Sequence, residues 1–109
     1  MYLKEFINYI QSEKRYSDYT ITSYKIDLNQ FFNYLIDEYN IDIPQNVTFK
    51  IVRNWISYLL DSGLKARSVN RKISSLKSYF KFLVISNYSD SNPTLKITSP
   101  KTSKRLPVF

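Results

Sequence analysis

The chain contains no histidine, no cysteine and a single glycine, Gly63. Without histidine or cysteine it cannot build a zinc finger, a His- or Cys-based nucleophilic centre, a haem attachment site or a disulfide scaffold. One glycine is too few for a phosphate-cradling loop, a dinucleotide-binding fingerprint or a collagen-like repeat, which need several for tight turns and close backbone approach. Long apolar runs are missing as well. The longest, Phe82-Leu83-Val84-Ile85, is far too short to cross a bilayer. The N-terminus carries Glu5 and leads into no apolar stretch, so it does not read as a signal peptide. The expectation is a soluble cytoplasmic protein with no membrane partner, no metal and no cofactor.

What is present points to one small folded unit. A chain of 109 residues suits a single domain, because splitting it would leave neither half a sufficient core. A hydrophobic content of 43% is enough for it to fold rather than stay disordered. The net charge of +7 is unevenly placed. Residues 1–64 hold six bases and eight acids, a net −2, whereas residues 65–109 hold ten bases and one acid, Asp90, a net +9. A concentrated positive field of this kind attracts a polyanion.

Helical spacing recurs in four segments, and no segment alternates with the period of a strand. Leu3, Phe6, Ile7 and Ile10 make one stripe in a helix over residues 2–14. Ser17 and Asp18 are capping residues for a second helix over 19–39, whose inward side carries Ile21, Tyr24, Leu28, Phe31, Phe32 and Leu35. Pro44 breaks the pattern between 40 and 47. Thr48 caps a third helix over 49–61, with Val52, Trp55, Ile56 and Leu59 inward, and Gly63 sits just past its end. A fourth helix over 66–86 places Val69, Ile73, Leu76, Phe80 and Leu83 on its stripe. Tyr88 to Pro93 is turn chemistry, and Pro100 to Pro107 is basic, bracketed by prolines and without periodicity. The expected fold is all-α: a small bundle of four or five helices over 1–90, followed by a linker over 91–109 that leads to a domain absent from the chain.

With the apolar stripe of the fourth helix set at 0°, Arg67, Asn70, Arg71, Ser74, Ser78 and Lys81 fall at about 100–200° and Lys77 near 80°. This outward face mixes cations with small hydroxyl and amide side chains and holds no acid. Cations neutralise phosphates, while serine and asparagine offer hydrogen bonds without holding a helix away from a groove. Ordinary solvated helix faces mix both signs, because acid–base pairs four residues apart stabilise them. Tyr19 lies opposite the stripe of the second helix, where it can stack or hydrogen-bond at a nucleic-acid surface. Two other readings stay open: a protein-interaction bundle whose basic face meets an acidic partner, and an RNA-binding helical module. Asp37 and Glu38, adjacent on one helix, read as a solvated terminus rather than a catalytic acid–base pair.

Three blocks of the chain resemble a known family. Residues 17–35, from Ser17-Asp-Tyr-Thr20 through Tyr24, Asp27-Leu28 and Phe31 to Leu35, are similar to its pattern S-x-x-T-x-x-x-Y-x-x-D-L-x-x-F-x-x-F/Y-L. Residues 66–83 resemble its second block. Asn92-Pro93 with Pro100-Lys101 and Lys104-Arg105-Leu106-Pro107 resembles its interdomain linker. The family is the N-terminal core-binding domain of tyrosine recombinases of the Xer and phage-integrase type. The resemblance implies a SAM-like bundle that forms half of a clamp around duplex DNA. Its second and fourth helices approach the major groove, and a linker crosses to a catalytic domain bearing an Arg, Lys, H-x-x-R and His/Trp set with a tyrosine nucleophile. It also implies tetramers of the full recombinase on DNA, with the isolated arm a monomer. This chain has no histidine and so cannot contain the H-x-x-R box; none of its ten tyrosines is expected to be the nucleophile, and alone it is expected to be catalytically inert.

The expected DNA-binding residues are Tyr19, Thr20, Ser23 and Lys25 at the start of the second helix. On the fourth helix they are Arg67, Ser68, Asn70, Arg71, Ser74, Lys77, Ser78 and Lys81, and in the tail Lys101, Lys104 and Arg105. Arg67, Arg71, Lys77, Lys81 and the tail bases are expected on phosphates. Asn70, Ser74 and Ser23 are expected at base edges.

Overall fold

A computed structural model of the chain describes residues 1–100. Four helices follow in order: α1 (Leu3–Ser12), α2 (Asp18–Tyr39), α3 (Phe49–Asp61) and α4 (Ala66–Ile85), with a 3-10 turn at Pro44–Asn46 before α3. There is no strand among the described residues.

The helix ends follow from local chemistry. Ser17 is extended and its Oγ accepts the Thr20 N–H at 3.2 Å, satisfying one of the free donors at the start of α2. Thr48 does the same for α3, accepting from the Ile51 N–H. α3 stops in a Schellman arrangement: Leu64 N–H donates to Leu59 O and Gly63 N–H to Leu60 O, with Gly63 at φ +97°, a conformation glycine adopts at no steric cost. α4 ends in the same way with Asn87 in the left-handed position. α1 is shorter than its apolar spacing predicts, because the chain turns after Glu13 and Arg15 takes a left-handed φ of 55°. That turn lays the Tyr16 ring flat against Tyr24, with centroids 5.7 Å apart.

The apolar stripes meet in one core. Phe6, Leu28, Phe31, Leu35, Val69, Leu76 and Leu83 are fully buried, and the predicted inward sets of α3 and α4 are all inside. Phe31 stands edge-on to Trp55 of α3 and to Phe80 of α4, so three helices share one aromatic junction. Phe6 brings α1 into the same core, edge-on to Tyr79. After α4 the chain folds back, burying Thr94 and Ile97.

Candidate nucleic-acid interface

The buried positions of α4 include Lys72, Ser75, Tyr79 and Phe82 besides its apolar stripe, and they occupy about half of its circumference. The remaining arc carries Arg67, Asn70, Arg71, Ser74, Lys77, Ser78 and Lys81, the outward set that helical spacing predicts. Arg67, Ser74 and Lys81 are exposed, and Ser78 is half-buried. Ser68 is half-buried within the angular range of the core positions and not on this arc.

The start of α2 lies beside this arc. Tyr19, Thr20, Ser23, Arg71 and Ser74 line one open cleft of about 240 Å³, so residues from two separate stretches of sequence share one surface. Tyr19 is 80% exposed at its rim, an unusual setting for so large a ring. Ser78 and Lys81 face the α1–α2 connection, where Lys14 and Tyr16 complete a second recess. Lys14 is a cation that the helix-face reading does not single out: the expected first helix runs to residue 14, whereas α1 ends at Ser12 and leaves Lys14 in the connection. Lys25 is not brought to this surface: it lies over a shallow groove with Leu3, Lys4, Ile7 and Asn8. Lys101, Lys104 and Arg105 lie outside the described residues.

Beneath the cleft sits a buried charge. Asp27 of α2 is completely inaccessible, and three side chains of α4 converge on it. Arg71 grips it with two hydrogen bonds, Nη2 to Oδ1 at 2.7 Å and Nε to Oδ2 at 3.2 Å. Lys72 Nζ donates to Oδ1 at 3.0 Å and Ser75 Oγ to Oδ2 at 2.9 Å. Lys72 also donates to the Gln30 side-chain carbonyl. Burial alone would raise the Asp27 carboxyl pKa; the hydrogen bonds from Arg71, Lys72 and Ser75 outweigh it and hold the group below the ordinary carboxylate range. Its carboxylate in turn raises the Arg71 pKa, so this guanidinium stays charged. Arg71 is expected mostly on phosphates; here two of its nitrogens are committed to Asp27, while just over half of its side-chain surface, 54%, remains open to the cleft.

Two more residues expected on nucleic acid have partners within the chain. Lys77 Nζ donates to the Ile97 carbonyl at 3.1 Å, and Asn70 Nδ2 to the Pro100 carbonyl at 3.0 Å. Asn70 Oδ1 is buried and has no partner among the described residues. Elsewhere among the described residues, no group of three acidic side chains is placed to hold a metal ion, and no helix is long and apolar enough to cross a membrane.

An all-helical body with these elements in this order is a SAM-like helical domain. The family model described as "Phage integrase, N-terminal SAM-like domain" matches residues 3–87, and the chain belongs to that family. Among curated proteins it is similar to the tyrosine recombinase XerD of Rickettsia bellii, 41% identical over 97% of this chain and 34% of that protein. It is also similar to the tyrosine recombinase XerC of Oceanobacillus iheyensis, 40% identical over 100% of this chain and 35% of that protein. The chain therefore spans about a third of the length of these relatives. No solved structure gives a significant match.

Proposed function

We propose that this chain is the DNA-binding arm of a site-specific tyrosine recombinase, holding duplex DNA at a recombination half-site with the start of α2 and the outward arc of α4. The observation that carries the reading is the meeting of Tyr19, Thr20, Ser23, Arg71 and Ser74 in one cleft beside the exposed cations Arg67 and Lys81. Asp27, the acid that lines the cleft, is buried and paired with Arg71 and Lys72, so the cleft itself offers a polyanion no free carboxylate; the exposed Asp18 stands at the first position of α2. In this reading Arg67, Lys81 and Lys14 meet phosphates, Arg71 does so with its open edge, and Ser74 and Ser23 are the groups small enough to reach base edges. Strand exchange needs an acid–base and cation set that includes a histidine. The chain has none, so the chemistry belongs to other parts of the recombinase, acting as several protomers on DNA.

Fluorescence anisotropy with a 30-base-pair duplex across a salt series tests this. Neutralising about five phosphates gives a slope of log K against log salt near −4.5. The Arg67→Glu, Lys81→Glu double variant should bind at least ~10-fold more weakly with an unchanged melting temperature, since neither side chain supports the core. Unchanged binding by that variant, or tighter binding to duplex RNA than to DNA, overturns the assignment.

A further inference from the structure

The segment after α4 is more than a departing tail. Tyr88 N–H and Ser89 N–H close the end of α4 on the Leu83 carbonyl, and the chain then reverses. Asn92 Oδ1 accepts from both the N–H and the hydroxyl of Thr94, forming a local turn, and Ile97 N–H returns to the Thr94 carbonyl. Thr94 and Ile97 are 2% and 7% exposed, so this piece is seated on the bundle.

Its seating has a defined register along α4. Asn70 and Lys77 are seven residues apart, about two helical turns, which at 1.5 Å per residue places them ~10.5 Å apart on one side of the helix. The carbonyls they hold, those of Pro100 and Ile97, are three residues apart, a span of ~10 Å in extended chain. The two spacings match, so residues 97–100 run back along α4 with a carbonyl fastened at each end. Asn70 and Lys77 also lie at one edge of the outward arc, between the buried positions and the run of Lys81, Ser74, Arg67, Ser78 and Arg71.

We propose that Asn70 and Lys77 are positioning residues that latch residues 94–100 onto α4 and so fix the place of Pro100 beside the basic face. Lys77 Nζ and Asn70 Nδ2 each give a donor to this backbone, and in this reading neither side chain serves a phosphate or a base. A lysine serves one end because its long stem reaches a carbonyl from an exposed position. An asparagine serves the other because its short amide sits under the chain where Pro100, having no N–H of its own, offers only an acceptor. The latch is built within the chain, so it stands or falls independently of the DNA reading.

The test is hydrogen exchange of the intact chain without DNA, followed by duplex binding. Lys77→Met keeps the aliphatic stem and removes the donor; Asn70→Ala, Lys77→Met removes both fastenings. Protection of the Ile97 amide should fall ~3–10-fold in the single variant and more in the double, while amides of Phe31 and Leu76 keep their protection and report an intact core. The salt slope for duplex binding should stay within ~0.5 of the parent, because no phosphate contact is lost. Undiminished Ile97 protection in Lys77→Met overturns the latch, and so does a salt slope shallower by about one unit, which would mark Lys77 as a phosphate contact. Arg67→Glu, Lys81→Glu separates the two proposals: it should weaken duplex binding at least ~10-fold and leave Ile97 protection intact. If the parent binds no duplex, the exchange data alone decide the latch.

Discussion

The two flanks of α2 hold α4 by different means. On one flank Phe32 packs edge-on to Tyr79, with Phe31 behind it joining Phe80 and Trp55, and the contact is apolar throughout. On the other flank a single carboxylate, Asp27, receives Arg71, Lys72 and Ser75. The apolar flank gains free energy by leaving water, and its loss is graded by volume. The ionic flank gains little over an apolar replacement of the same shape, because desolvating the charges offsets much of their attraction. What it adds is a condition: the cluster must keep its carboxylate, or Lys72 is left buried without a counter-charge. That flank also borders the cleft, so this requirement coincides with the surface proposed to meet DNA.

Three substitutions probe this contrast, in decreasing order of expected effect. Trp55→Ala empties the aromatic junction and should cost about 4 kcal/mol in urea unfolding, the range for deleting a large buried ring. A loss below about 1 kcal/mol would mean the junction collapses around the gap. Asp27→Asn keeps the shape but strands Lys72, and should cost about 3 kcal/mol at neutral pH. This loss should depend on pH with a definite sign. Asp27 has a lowered pKa in the fold, so its contribution is complete above the unfolded value near 3.9 and declines as pH falls below that through the folded value. Parent and variant should therefore converge in stability on acidification below about pH 4, and a gap that stays constant to pH 2 would place the effect elsewhere. Ser17→Ala removes the cap of α2 and should cost about 1 kcal/mol in thermal unfolding, enough to loosen the turn that carries Tyr19 and Thr20.

The same contrast explains what could be read from the sequence. The aromatic flank follows from spacing alone: Phe31, Trp55 and Phe80 each sit on a stripe, and the caps at Ser17 and Thr48 and the stop at Gly63 stand where local chemistry puts them. The ionic flank does not follow from spacing: Asp27 stands in the sequence only as the acid of the family pattern, and Arg71 only as a cation of the outward arc. Asp27 lies three residues after Tyr24 and four before Phe31, and Lys72 three after Val69 and four before Leu76. An acid and a base on the inward stripes of two helices are a legible signal for a buried pair, but only once those helices are known to pack together. That pairing is tertiary information. Periodicity also placed the outward arc of α4 correctly, yet it could not show that a returning segment would occupy Asn70 and Lys77, because Ile97 and Pro100 contribute backbone carbonyls, which carry no side-chain signature. Lys25 illustrates the limit on α2: proximity in sequence to Ser23 puts it on the opposite side of the helix.

The Met1 carbonyl accepts the Tyr79 hydroxyl, and the Tyr2 ring stacks on Tyr88 at 4.2 Å, while Pro100 is held beside Asn70. The beginning of the chain is thus moored near the last turns of α4 and Pro100 near the second, roughly nine residues or ~13 Å apart along that helix. A dye joined at Met1 therefore stays about two and a half helical turns along α4 from Pro100, and a short-range quenching pair between the two positions would make the domain its own ruler, reporting release of the returning segment as a change in length.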